Sequence, residues 1–251
     1  MGNRKISSNL LRGNGKMKVP ISEVFSSVQG EGKYIGCRQL FIRFVGCNLD
    51  CGYCDTEDML AVNKCNLEDA DCLANPVELR TILPYIKKRL QKKHHSISLT
   101  GGEPLLYPDF INALAEQTAV PLFLETNGTL SEQLTKVIDN IDIVSMDFKL
   151  PDAVGVDLWA QHEKFLYIAR QKDVYVKIVV AKETADNDFA AAIDLLGRVD
   201  KKILLILQPV TSCDGYTAPS PKKLLIWQEK ALEKLCDVRI IGQTHKLIGL
   251  R

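Results

Sequence analysis

From Gln39 onward the chain alternates short apolar runs with longer amphipathic stretches. The runs at 39–45 (QLFIRFV), 96–100 (SISLT), 121–126 (PLFLET), 142–149 (DIVSMDFK), 174–180 (VYVKIVV) and 202–210 (KILLILQPV) predict strands. Helices are expected between them, near 76–93, 109–118, 131–139, 157–171, 186–197 and 221–236. Pro76, Pro108 and Pro221 fall at or near helix starts, where a missing N–H costs little. Ser131 and Asp157 suit N-cap positions. Six strand-then-helix units in order predict a parallel sheet with helical crossovers. Right-handed crossovers leave two solutions, a doubly wound sheet or a barrel-like one.

Both solutions gather functional residues at the C-terminal strand ends. The chemically informative residues fall there: cysteines after the first strand, Thr100–Pro104 after the second, Glu125–Gly128 after the third, Asp147 and Lys149 at the fourth, and Gln208–Pro209 at the sixth. Loops of a doubly wound sheet would not all converge, whereas those of a part-closed barrel would, so a barrel is expected. The segment 21–25 (ISEVF) reads as an extra strand ahead of the first unit. Residues 57–75 form an acidic insertion with two cysteines, few apolar positions and no evident place. Residues 1–18 read as a loose leader and 19–251 as a single domain, since no repeat or linker marks a second one.

Composition excludes more than it identifies. The 251 residues are 46% hydrophobic and 25% charged, with 16 Gly and 10 Pro, which rules out wholesale disorder and collagen-like or low-complexity chains. Lys and Arg number 32 against 31 Asp and Glu, a net +1 that gives no sign of a nucleic-acid or membrane-surface binder. No apolar run approaches the ~18 residues of a membrane span. The first residues are basic and polar but lack the apolar centre of a secretory signal, so a cytoplasmic protein is expected. The eight cysteines (37, 47, 51, 54, 65, 72, 213 and 236) are then not expected to form structural disulfides. Three of them crowd into residues 47–54, which favours a metal or cluster site.

Cys47, Cys51 and Cys54 read C-x3-C-x2-C. The two intervals reach at most ~14 and ~10 Å when extended, so a bent loop can aim all three sulfurs at one centre. Iron–sulfur cubes take one thiolate per iron, and a group of three leaves one iron open. Structural zinc wants four closed ligands, usually with a second C-x2-C pair, which is missing. Cys37, Cys65 or Cys72 as a fourth thiolate would instead make a closed zinc site or a simple electron carrier.

The cysteine motif, with Tyr53 before its last member, resembles the signature of the radical S-adenosylmethionine (SAM) superfamily. That resemblance implies a (β/α)6 partial TIM-type barrel, a [4Fe-4S] cluster on the three cysteines, and SAM chelated to the open iron. TGGEP at 100–104 resembles the segment that meets the methionyl group of SAM. Paired glycines permit close approach of backbone to ligand, and a carboxylate can accept from an ammonium. SMDFK at 145–149 and Gln208-Pro209 resemble further SAM-contacting segments. The implied SAM contacts are Tyr53, Cys54, Asp55, Gly102, Glu103, Ser145, Asp147, Lys149, Gln208 and Pro209.

FSSVQGEG at 25–32, FIRF at 41–44, CDT at 54–56 and QTHK at 243–246 together resemble the 7-carboxy-7-deazaguanine synthase family, from about Ile21 to the C-terminus. The resemblance implies ring contraction of 6-carboxy-5,6,7,8-tetrahydropterin to 7-carboxy-7-deazaguanine with loss of ammonia, in queuosine or 7-deazapurine biosynthesis. It implies pterin contacts from Val28, Gln29 and Gly30, with Gly30 letting the ring come close. Arg43 is implied as the clamp on the substrate carboxylate; its alternative is an internal ion pair with Glu125 or Asp147. Thr56 is the implied Mg2+ contact, Thr100 a substrate contact, and Arg251 a substrate contact through its terminal carboxylate. His245 and Lys246 are open to a packing role at the barrel bottom. A homodimer and a low-potential electron donor such as flavodoxin or ferredoxin are implied partners. Two other readings remain at this stage, an activase of a glycyl radical enzyme and a non-catalytic iron–sulfur or zinc module. The insertion at 57–75 lies where a cap over the site would form, and Gly242 stands where relatives commonly have Pro.

Overall fold

The computed structural model describes residues 18–54, 62–211 and 215–250. In chain order its strands are β1 (Lys18–Val19), β2 (Ile21–Val28), β3 (Arg38–Phe44), β4 (Lys64–Leu67), β5 (Ala70–Ala74), β6 (Val77–Glu78), β7 (Ser96–Gly101), β8 (Leu122–Thr126), β9 (Ile143–Asp147), β10 (Asp173–Val180), β11 (Leu204–Pro209) and β12 (Val238–Ile240). The helices are α1 (Leu79–Arg89), α2 (Pro108–Ala115), α3 (Ser131–Val137), α4 (Pro151–Val154), α5 (Trp159–Ala169), α6 (Asp186–Asp200), α7 (Pro221–Leu232) and α8 (Thr244–Ile248).

The main sheet runs β12-β11-β10-β9-β8-β7-β3-β2-β4-β5. Along β3, β7, β8, β9, β10, β11 and β12 each strand pairs in parallel with the next. A doubly wound sheet would reverse direction part-way; this one does not, so the barrel expectation holds. The sheet stays open, because among the described residues β12 pairs only with β11.

Strand alternation explains the two faces. In β10, Val174, Val176, Ile178 and Val180 belong to the large core under the helices, while Tyr175, Lys177 and Val179 point the other way. The helices answer with apolar faces at helical spacing: Ile82 and Ile86 on α1, and Phe189, Ala192, Ile193 and Leu196 on α6, all buried. Burying one such side chain is worth about 1.5–3 kcal/mol. Pro108 and Pro221 open α2 and α7, and Ser220 caps α7 by accepting from Lys223 N at 3.2 Å.

Several sequence expectations need correction. The helix expected from 76 begins at Leu79, and Val77–Glu78 pair with β1 instead. Lys18, placed in the leader, therefore sits in a strand; the rest of the leader lies outside the described residues. Ser131 is the first residue of α3, and the cap position is Leu130. Asp157 accepts from Trp159 N at 2.8 Å, though the cap position itself is Leu158. ISEVF extends to the eight residues of β2, which run antiparallel to β3. The described part of the insertion is a β4–β5 hairpin that adds two strands beyond β2, turning at Asp69 with φ 57.

Candidate active site

The inward-facing side chains of the open barrel enclose a cavity of about 920 Å³. Alternation decides who lines it: Phe41 and Arg43 on β3, Thr100 on β7, Glu125 on β8, Ser145 and Asp147 on β9, Tyr175, Lys177 and Val179 on β10, and Gln208 on β11.

Cys47, Cys51 and Cys54, in the loop after β3, form part of its wall. That loop is stitched to the turn after β7, where Gly102 N donates to Phe44 O at 3.0 Å and Glu103 N to Gly46 O at 2.8 Å. A Cβ on Gly102 would lie 1.9 Å from Gly46 O, so only glycine permits this contact. Burial pushes the Cys51 thiol up to about 11 and raises that of Cys47. Half-buried thiols of this kind become thiolates only when a metal takes them. Cys47 Sγ also accepts from Leu49 N at 3.5 Å and from Asn127 Nδ2 at 3.7 Å, donors suited to a metal-bound thiolate. Among the described residues, no three His, Cys, Asp or Glu side chains are gathered tightly enough for a single metal ion. Three thiols on one wall suit a cubane, which takes one thiolate per iron. Cys37, Cys65 and Cys72 line no part of the cavity, and Cys65 is fully buried in the core, so none serves as a fourth ligand there.

Opposite charges alternate along one wall. Lys149 Nζ lies 2.8 Å from Asp147 Oδ2, Lys177 Nζ lies 3.7 Å from the same oxygen, and Lys177 also pairs with Glu31. Burial would pull Lys149 down, but Asp147 beside it holds the ammonium well above its ordinary value. Burial likewise pushes Glu31 up, yet the Lys177 charge and hydrogen bonds from Lys177 and Gln243 hold its carboxyl down at about 2. Asp147 Oδ1 and Gln208 Oε1 are buried with no hydrogen-bond partner. Unsatisfied acceptors facing a cavity leave positions for ligand donors. Lys149 stands 5.1 Å from the Tyr53 ring centroid, and Tyr53 meets Tyr216 edge-on at 5.5 Å.

Another part of the lining is amide- and carboxylate-rich. Glu125 accepts from Gln29 Nε2 at 2.7 Å, Thr100 Oγ1 at 2.7 Å and Ser98 Oγ at 3.2 Å. Phe25 stacks on Phe41 with centroids 5.2 Å apart, and Arg43 lies over Phe25 at 5.7 Å.

The Radical SAM superfamily profile matches residues 41–196. A 7-carboxy-7-deazaguanine synthase of Geobacter sulfurreducens is 43% identical over 91% of this chain and 96% of its own length. Another from Methanothermobacter thermautotrophicus is 35% identical over 94% of this chain and 99% of its own. The chain belongs to the 7-carboxy-7-deazaguanine synthase family. The crystal structure of QueE from Escherichia coli shares the fold, with a TM-score of 0.59 and 22% identity over 96% of this chain and 100% of that one. Family membership removes the non-catalytic module as a reading.

Most residues that the family motifs single out do meet in the cavity: Val28, Gln29, Gly30, Arg43, the three cysteines, Tyr53, Thr100, Gly102, Ser145, Asp147, Lys149 and Gln208. Glu103 and Pro209 do not line it. Glu103 is fully buried, with its carboxylate accepting from Leu105 N, Asn127 N and Thr126 Oγ1 at 2.9–3.1 Å. Its carboxylate braces the wall through these donors. Arg43 pairs with Glu23 at 2.8 Å, its cross-strand neighbour on β2, and not with Glu125 or Asp147. The space in front of Gly30 is taken by His245, whose Nδ1 would be 2.1 Å from a Cβ there. The glycine therefore admits that side chain, and His245 and Lys246 belong to the cavity wall. Asp55, Thr56 and Arg251 lie outside the described residues. Sequence reasoning gave Glu31 and Lys177 no site role, and it marked Glu125 and Asn127 only as part of the strand-end run 125–128. Lys177 had a signal: one lysine in an apolar strand, in phase with Tyr175.

Proposed function

We propose that this chain converts 6-carboxy-5,6,7,8-tetrahydropterin to 7-carboxy-7-deazaguanine with release of ammonia. The observation that carries this reading is a single cavity whose lining holds both the three-cysteine loop and Gln29, Arg43 and Glu125. When bound, the cluster and SAM supply a 5′-deoxyadenosyl radical that abstracts hydrogen from the substrate. Cys47, Cys51 and Cys54 hold the cluster. Lys149 and the open acceptors of Asp147 and Gln208 hold the polar groups of SAM. Glu125 and the Gln29 amide take the donor and acceptor edge of the pterin. Arg43 engages the substrate carboxylate, and its Nε contact with Glu23 keeps the guanidinium from swinging. Phe25 and Phe41 offer a flat apolar face to the ring.

Mg2+ at Thr56, a homodimer, a low-potential electron donor of the flavodoxin or ferredoxin kind and a cytoplasmic setting complete the proposal. No helix among the described residues is long and apolar enough to cross a membrane.

The test is anaerobic reconstitution with iron and sulfide, then incubation with SAM, a reductant and the carboxytetrahydropterin. Ammonia together with a deazaguanine chromophore is the expected result. SAM cleavage that leaves the pterin intact would overturn the reading and favour an activase.

A further inference from the structure

Asn127, just past the end of β8, plays no part in the scheme above, yet it is one of the most constrained side chains near the cysteine loop. It is 6% exposed. Its Oδ1 accepts from Thr129 N at 3.1 Å and Thr129 Oγ1 at 2.6 Å, which fixes which end of the amide is oxygen. The two protons on Nδ2 are thereby turned to Asn48 Oδ1 at 2.9 Å and Cys47 Sγ at 3.7 Å. Its backbone is clamped as well. Asn127 N donates to Glu103 Oε2 at 2.9 Å, and Asn127 O lies 3.2 Å from His162 Nε2. Burial pulls the His162 imidazole down to about 4, so it is neutral at pH 7, and the carbonyl it faces requires the Nε2–H tautomer. His162 is itself held flat against Phe148, with centroids 4.8 Å apart and planes 5° apart.

We propose that Asn127 is a positioning residue that sets the reduction potential of the iron–sulfur cluster through its N–H···S hydrogen bond to Cys47, with Glu103 and His162 fixing its place. The physical reason is charge. One-electron reduction adds negative charge to the cluster and its thiolates, and a donor aimed at a thiolate sulfur stabilises the more negative state. Removing that donor makes reduction harder. Cys47 receives a second N–H from Leu49, so two donors converge on this one sulfur.

This inference rests on the three cysteines being cluster ligands, and the test separates the two. Wild-type protein, Asn127→Ala and Asn127→Asp are reconstituted anaerobically, iron and sulfide are counted per chain, and the midpoint potential is measured by redox titration monitored by electron paramagnetic resonance. The expected result is a more negative midpoint in Asn127→Ala and a larger shift in Asn127→Asp, where a carboxylate replaces the donor. At the poise that half-reduces the wild-type cluster, the ratio of reduced to oxidised cluster in Asn127→Ala falls about tenfold, equivalent to about 59 mV for one electron. A fully loaded Asn127→Ala with an unmoved midpoint overturns the inference and leaves the cluster reading intact. A wild-type protein that takes up no cubane overturns the cluster reading itself, and the inference with it. If neither variant takes up a cluster, wild-type protein labelled with nitrogen-15 at asparagine amides decides. Its reduced cluster shows a side-chain amide coupling by double resonance, and absence of that coupling overturns the inference.

Discussion

Glu31 and Lys177 show how much a single buried pair can decide. Their side chains are 21% and 14% exposed. Each charge is held chiefly by the other, with Asp147 3.7 Å from Lys177 and Gln243 donating to Glu31 at 2.8 Å. Replacing one member strands the other, which typically costs about 3–5 kcal/mol. Lys177→Met is therefore expected to lower the denaturant midpoint sharply, and adding Glu31→Gln is expected to recover much of the loss. The pair also carries a pH signature. The Glu31 carboxyl stands at about 2 in the folded protein against an ordinary 4.5. A depressed acid stabilises the fold above its unfolded value and loses that contribution as pH falls towards the folded one. The stability gap between wild type and Glu31→Gln should thus narrow between pH 4.5 and 2, measured by thermal melts across that range. The motifs made Arg43, Gln29 and the cysteines legible as chemistry. Glu31 lay inside the quoted QGEG motif, but its partner is 146 residues away, and no local pattern links them. The place of Glu103 was not legible either. A carboxylate after two glycines suits a ligand contact, but here the donors of Leu105, Asn127 and Thr126 had already claimed it.

At the level of elements, the cysteine loop and the turn after β7 act as one piece. Gly102 touches the Gly46 carbonyl, which is backbone and has no side-chain freedom to yield. Gly102→Ala should push the two segments apart and shift the cysteines that follow Gly46. The expected outcome is a severalfold fall in iron bound per chain after reconstitution, with the far-ultraviolet circular dichroism unchanged because the strands are untouched. Normal iron content in this variant would show that the contact is slack. The elements best read from sequence are those whose burial is periodic, such as β10 and α6. The β4–β5 hairpin escaped because β5 is an edge strand with a mostly exposed pattern, leaving no alternation to detect. Helix α8 escaped because it has five residues and buries none of them.

On the scale of the whole molecule, the open sheet poses a problem that the connection between β2 and β3 answers. Because β2 runs antiparallel to β3, this connection lies at the end of the barrel opposite the cysteines. From there residues 29–36 cross the barrel floor to the far strands. Tyr34 Oη donates to Asp173 at the start of β10, Lys33 pairs with the same carboxylate at 2.5 Å, and Thr244 N donates to Gly30 O at 2.8 Å. Tyr34 also meets Phe123 edge-on at 5.9 Å. The segment that carries Gln29 and Glu31 is therefore held in place by strands on the other side of the barrel. Loosening that hold should weaken substrate binding while leaving the cysteine end alone. Tyr34→Phe removes one hydrogen bond, worth about 1 kcal/mol, or about fivefold in an equilibrium constant. The KM for the pterin should rise by about that factor, while SAM cleavage in the absence of pterin keeps its wild-type rate. Steady-state kinetics and a SAM-cleavage assay on the same preparation separate the two. A fall in SAM cleavage with an unmoved KM would mean that the floor serves the cysteine loop and not the segment that carries Gln29 and Glu31.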